Sequence, residues 1–394
     1  MHISRKALPE WLGAHLCSST YLLFMTAWAL PLFLLAGSGV AGIGGRRPPL
    51  ELAQNADLVI VGSASNGTQE GGVISFTIQV VRVVKGDASL AGGSITVAWA
   101  ASGGPARTPP ATVTGSGLWF LQRSGGGWTL EPAMDGDAPF EDLFLAAPVA
   151  PLPTAYVYSA SASLSDAIAS EVAAAVESAP PDSFRLQYLH SGPLDRLNSP
   201  VVQLLYQRLA GSSATDKQIL GLAGQIRWGN AGALSAAARS ARSFASFALE
   251  DGVLLQSVQY GFRASDPASV AALGRVVDDT NGDLPFRRAA AFALAAIHTQ
   301  QALPYLAALM TDADPELRAE SVRGLGSFAN GLTVQTTAGT PSPSYLQPQP
   351  NSPFRTDDTV THAPLNIEYI EANESQYLPF WQTWWQANRA ALGF

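Results

Sequence analysis

Two stretches of this 394-residue chain are copies of one another, and that limits its architecture more than any other feature. "DLPFRRAAAFALAAI" and "DPELRAESVRGLGSF" superimpose without gaps at a spacing of 31 residues. Asp283 then matches Asp314, Phe286 matches Leu317, Arg287 matches Arg318, Leu294 matches Leu325 and Ile297 matches Phe328. The segments before them match at a spacing of 33, with Val270, Leu273, Val276 and Asp279 falling on Leu303, Leu306, Leu309 and Asp312. Self-similarity at this period, with two helical patterns per unit, marks an α-solenoid, in which each pair buries its apolar face only against a neighbouring pair.

The repeated residues resemble short HEAT-like repeats of the PBS-lyase type. In these, D-x-x-x-R opens the second helix and A-x-x-x-L-x-x-I forms its buried face. The clear units span residues 266–331. "DKQILGLAGQI" followed by "NAGALSAAARSA" reads as a worn earlier unit, and "GVLLQSVQYGF" as the start of another. Arg287 and Arg318 follow acidic residues in the turn, Asp283 and Asp314. All four are expected to act in the scaffold, the arginines bonding across repeats and holding adjacent loops.

Upstream the texture is different. Across residues 57–132 the apolar pattern has a period of two. "DLVIVGSAS" reads as a buried strand, and in "VISFTIQVVRVVKGD" Ile74, Phe76, Ile78 and Val80 share one face. The doublet Val80-Val81 breaks the alternation and predicts a bulge. "SITVAWA" adds a strand, and "GLWFLQRSGGGWTLEP" adds two joined at 124–127. Five bent strands with Gly-rich turns predict a small barrel or sandwich. "NADLVIVGSA", "VVRVVKGD" and "GLWFL" together resemble the netrin/TIMP-like OB-fold domains. That likeness implies an OB-like barrel and nothing about protease inhibition, which in those families uses an N-terminal cysteine and disulfides.

Charge-free from 20 to 45 and preceded by Arg5 and Lys6, the N-terminus reads as an export signal or a membrane anchor. Gly39-Val40-Ala41 offers a small-x-small cleavage site, while the length of the run also suits a retained span. Either way the bulk of the chain is expected outside the cytoplasm, in the periplasm or at the cell surface. Gly37, Gly39 and Gly42 spell a dinucleotide fingerprint, but between no strand and no helix, so it carries no meaning.

The single cysteine, Cys17, excludes a disulfide framework and a four-thiolate zinc site. A net charge of −8 argues against nucleic acid as a partner. The five histidines are not paired at metal spacing, and no nucleophile elbow or P-loop occurs. No catalytic residue, cofactor or metal is predicted. His298 ends a repeat helix, where the partial negative charge suits a cation. "DDTNGD", with Asp279, Asn281 and Asp283, has half the pattern of a calcium loop and reads as a solvated turn.

A Pro/Ser/Thr-rich loop, 333–365, leads to "QYLPFWQTWWQANRAALGF". Tyr377, Phe380, Trp381, Trp384, Trp385 and Leu392 fall on one helical face, a stripe too continuous for a sugar platform and too poor in cations for a membrane surface. It is expected to close the end of the helical stack. The predicted order is thus signal or anchor 1–45, β-barrel 46–155, helical repeats 156–332, loop 333–365 and Trp-rich docking helix 366–394. The function expected is a non-enzymatic exported or anchored scaffold that binds a protein partner through the repeats. The alternative is a small-ligand or oligosaccharide binder, or an enzyme, with a pocket on the barrel or between domains.

Overall fold

The computed structural model describes residues 48–70, 73–100, 115–131, 144–145, 150–180, 194, 197, 199–240, 248–262, 264–330, 354–356 and 367–394. The apolar run at 20–45, Cys17, and the loop at 333–365 apart from 354–356 lie outside the described residues. The chain divides into two compact units, residues 1–179 with 183–199, and 180–182 with 200–394.

The first unit is a barrel. A short helix, α1 (Pro49–Asn55), precedes β1 (Leu58–Glu70), β2 (Val73–Lys85), β3 (Ser94–Ala100), β4 (Gly115–Ser124), β5 (Gly127–Leu130) and β6 (Phe144–Leu145). The sheet runs β1-β2-β3-β5-β4-β6, and β1 also pairs with β4, so five strands close on themselves. All pairings are antiparallel except β3 with β5. Ile74, Phe76, Ile78 and Val80 point into the core, as the alternation predicted. The bulge falls at Val81, because Val61 pairs with Arg82 and Gly62 with Val80; a second skips Val84. Two extra residues in one strand bend it enough to pair on both sides of so small a barrel. Gly125 and Gly126 turn β4 into β5 with φ of 57° and 85°, values that favour glycine at both positions.

Lys85 is the lysine of "VVRVVKGD". Its Nζ donates to the carbonyls of Ala53, Gln54 and Ala56 at 3.0, 2.9 and 2.6 Å, capping the end of α1 from the barrel wall.

Helix α2 (Leu164–Ser178) starts at Ser163, whose Oγ accepts from the Asp166 amide. Its Ala-rich texture suggested membership of the helical repeats, but it belongs to the barrel unit. The cause is Glu171, fully buried, which takes Arg82 of β2 through Nε at 3.0 Å and a terminal nitrogen at 2.8 Å. Tyr158 adds a hydroxyl donor at 2.9 Å, and burial followed by that carboxylate pushes the phenol pKa up.

The second unit contains α3 (Pro200–Ala210), α4 (Thr215–Arg227), α5 (Ala231–Ser240), α6 (Ala248–Gln256) running into a π turn (Ser257–Gly261), α7 (Pro267–Asp278), α8 (Leu284–Ile297), α9 (Leu303–Leu309), α10 (Pro315–Asn330), α11 (Ile367–Ala372) and α12 (Glu374–Asn388). The repeats are α7–α8 and α9–α10. Val270, Leu273, Leu303, Leu306, Leu294 and Leu325 are all buried in one continuous core. Earlier in the stack the frame differs by one helix from the sequence reading. α3 pairs with α4, α5 lies beside α7, and α6 with its π turn lies beside α8.

Helices α11 and α12 pack on α10, the last helix of the repeats. Tyr377, Trp381, Trp384 and Leu392 are buried in the same core as the repeats, while Phe380 and Trp385 pack partly against it. A solenoid needs a cap with a polar outer face, and this hairpin forms it.

Candidate functional site

Each repeat carries an aspartate after its first helix, an aspartate that starts the second helix and the same arginine, although the first turn is two residues longer. In the second, the Asp312 carboxylate accepts from the Asp314 amide through Oδ1 at 2.9 Å. In the first, Asp279 accepts from the Asn281 amide at 3.2 Å in the same way. Asp283 and Asp314 then start the second helices, accepting from the Phe286 and Leu317 amides at 3.0 and 3.1 Å.

The arginines run as a ladder from one unit to the next. Arg287, only 5% exposed, donates Nε to the Val277 carbonyl of its own turn at 3.0 Å. It reaches Asp312 of the next repeat at 2.5 Å. Arg318 holds the Asp312 and Ala313 carbonyls of its own turn at 2.8 and 2.9 Å. It then takes the Glu374 carboxylate of the cap through two bonds of 2.9 Å. Glu374 thus occupies, in the cap, the role Asp312 has in the repeat.

Among the described residues the ladder stops upstream. Asp279 is the repeat counterpart of Asp312, and among the described residues no arginine reaches it. The helix beside α8 in the preceding layer, α6, opens on Ala248-Leu249-Glu250-Asp251, with no arginine in that turn. Around the vacant rung lies an open groove of about 390 Å³ lined by residues of α5, α7, the following turn and α8. Its lining includes Arg239 of α5, Arg275 of α7, Asp279 and Asp283 of the turn, and Phe286 and Arg287 of α8.

Arg239 and Arg275 are exposed and have no hydrogen-bond or ion-pair partner among the described residues. In the two repeats, by contrast, the second-helix arginines are engaged. Besides Arg287 and Arg318, Arg288 pairs with Asp314 and Glu316 at 2.6 Å each. Arg323 binds both oxygens of buried Glu320 at 2.5 Å and lies 4.5 Å from the Phe292 ring centre. Among the described residues the groove therefore combines a carboxylate and two guanidinium groups that have no ion-pair partner, all borne on or beside helices.

Of the residues singled out in the sequence, Asp283 and Arg287 line this groove. Asp314 and Arg318 sit at the next rung, toward the cap. Trp381 and Trp384 are core, their rings 5.4 Å apart, and the Trp384 Nε1 donates to the Phe354 carbonyl at 3.0 Å. Trp385 is half-buried against Phe394. Arg239, Arg275 and the carboxylate role of Glu374 were missed. The repeat alignment held the signal for the vacant rung, since it already paired Asp279 with Asp312. It held none for Arg239, which lies outside the clear units.

The cation expected at the end of α8 is not favoured. His298 adopts φ 56°, and its ring turns inward to the Ser327 Oγ at 2.6 Å. Burial lowers its pKa. Among the described residues no group of three His, Cys, Asp or Glu is placed to hold a metal ion. No described helix is long and apolar enough to cross a membrane.

A family model for HEAT repeats matches residues 278–337, which begins at the end of α7 and takes in α8, α9 and α10. No curated protein and no solved structure matches the chain.

Proposed function

We propose that this chain is a non-enzymatic scaffold that binds a protein partner through its helical unit, at the groove between α5, α7 and α8. The observation carrying this reading is the break in the arginine ladder. Among the described residues Asp279, Arg239 and Arg275 have no ion-pair partner beside an open groove, while Arg287, Arg288, Arg318 and Arg323 of the repeats are paired internally. HEAT repeats commonly mediate protein–protein contacts, and stacked helices give the rigid, extended surface that such contacts need. The N-terminal signal-like run supports an exported or membrane-anchored location for this scaffold, with attachment, if retained, through residues 20–45.

For the barrel, the order β1-β2-β3-β5-β4 closed back on β1, with β3 and β5 parallel, supports an OB-type assignment of the netrin/TIMP-like kind. Its contribution to function in this reading is to carry the helical unit, since fold likeness alone assigns no ligand.

The test is affinity capture from envelope extracts with the full chain and with Arg239→Gln/Arg275→Gln. These exposed changes leave the core intact. A partner retained by the parent and lost by the double variant is the expected result; an unchanged set of partners overturns the reading. Cell fractionation tests the location, which recovery of the bulk of the chain from the cytoplasm would overturn.

A further inference from the structure

The geometry points to a specific occupant for the vacant rung: an arginine side chain of a partner segment, entering the groove to pair with Asp279 as Arg287 pairs with Asp312. The inference rests on the groove being the partner-binding surface and names what that surface selects. Its argument is internal to the repeat. The turn of the first repeat is two residues longer than that of the second, yet both aspartates use Oδ1 to accept the amide two residues on. That bond fixes the carboxylate, and in Asp312 it leaves Oδ2 aimed at the guanidinium of the unit before. The longer turn of the first repeat holds the Asp279 carboxylate by the same kind of bond, and among the described residues no side chain pairs with it.

A bare cation is a poor fit, because Arg239 and Arg275 line the same groove. A carboxylate is the group that pairs best with such guanidinium groups. The complementary partner is therefore an extended segment of mixed charge, one arginine toward Asp279 and an Asp, Glu or terminal carboxylate toward Arg239 and Arg275. Arginine is favoured over lysine at the rung. Its planar fork can hold an aspartate and a turn carbonyl together, as Arg287 does with Asp312 and Val277. Like-charge contact rejects segments that are wholly basic or wholly acidic.

The probe is a random peptide library selected on the folded full chain, with parallel selection on Asp279→Asn and on Arg239→Gln/Arg275→Gln. Asparagine keeps the Oδ1 acceptor for the Asn281 amide, so the turn is retained; far-UV circular dichroism checks this. Peptides enriched on the parent are expected to carry an arginine and an acidic residue. They should bind Asp279→Asn about 10-fold more weakly or worse, the loss expected of one charge-assisted pair. Replacing the peptide arginine by lysine should weaken binding to the parent and shrink the effect of Asp279→Asn.

Enriched peptides without arginine, or equal binding to parent and Asp279→Asn, overturn the inference. So does a library that yields no peptide preferring the parent to the groove variants. If the partner captured by the parent is lost with Arg239→Gln/Arg275→Gln yet kept by Asp279→Asn, the rung inference fails while the groove reading survives. If it is kept by both variants, both fail.

Discussion

Arg318 and Glu374 repeat, at the end of the stack, the pairing that Arg287 and Asp312 make one unit earlier. The two pairs differ in surroundings. Arg287 and Asp312 have side chains only 7% and 11% exposed, whereas those of Arg318 and Glu374 are 20% and 25% exposed. Removing Arg287 leaves a nearly buried carboxylate and a turn carbonyl without their donor, so Arg287→Ala should cost about 3 kcal/mol. Arg318→Ala should cost about 1 kcal/mol, because water can replace what it loses. Urea unfolding of the helical unit, followed by circular dichroism, gives both values. Equal costs would contradict this account of the ladder.

Much of this architecture is legible in the sequence, for reasons that can be located. Val270, Leu273, Leu303 and Leu306 show the repeat because burial against a neighbour admits only apolar residues of fixed spacing. Val80-Val81 shows the bulge because a strand cannot hide two successive side chains on one face. What stayed hidden depends on side chains meeting across long separations. Glu171 is acidic and sits in an Ala-rich helix, and nothing local tells that Arg82 will bury it. His298 looked like a helix-end cation because the sequence does not show Ser327 turning its ring inward. Arg239 looked ordinary in the sequence, because only the fold brings α5 to the groove that Asp279 also lines.

Carboxyl groups on α10 and α11 make the helical unit pH-sensitive. Burial raises the pKa of Glu320 and, with help from neighbouring acids, those of Glu316 and Glu371. For Glu371 those neighbours are Glu368, Asp314 and Glu374, with Arg288 opposing them. The unfolded value is 4.5, so above it the folded chain holds protons that the unfolded chain has released. Stability from these groups is therefore present at low pH and lost as pH rises through the folded values. Glu371→Gln removes one of them. It should raise stability at about pH 7 by under about 1 kcal/mol and change little at about pH 4. Urea midpoints of parent and variant at the two pH values test the sign; a variant less stable at the higher pH would refute it.

His298 titrates in the opposite sense. Its unfolded pKa is 6.5 and burial depresses the folded one, so the unfolded chain binds the proton first. The contribution is complete above 6.5 and is lost as pH falls from there toward the folded value. Asparagine tolerates the left-handed backbone at this position and does not titrate. His298→Asn should therefore remove the downward step below about pH 6.5, at some cost in packing. Two-dimensional NMR of the ring protons gives the folded pKa directly, and a value above 6.5 would restore the helix-end cation reading.

Trp381 and Trp384 separate the packing of an indole from its hydrogen bond. Trp381 is the more deeply buried, at 0% exposed against 7%, yet its Nε1 has no partner among the described residues. Trp384 donates to the Phe354 carbonyl. Phenylalanine keeps most of the apolar volume and deletes the N–H. At Trp381 that removes a buried donor whose desolvation is uncompensated, offsetting part of the lost volume. At Trp384 it orphans a carbonyl as well. Trp384→Phe should therefore destabilise the helical unit by about 1 kcal/mol more than Trp381→Phe, although burial alone ranks them the other way. Alanine at Trp381 should cost about 3–5 kcal/mol and uncover the end of α10. Denaturation of the three variants decides the matter: if Trp381→Phe proves the more damaging replacement, its indole N–H is bound after all, and water is the partner to look for.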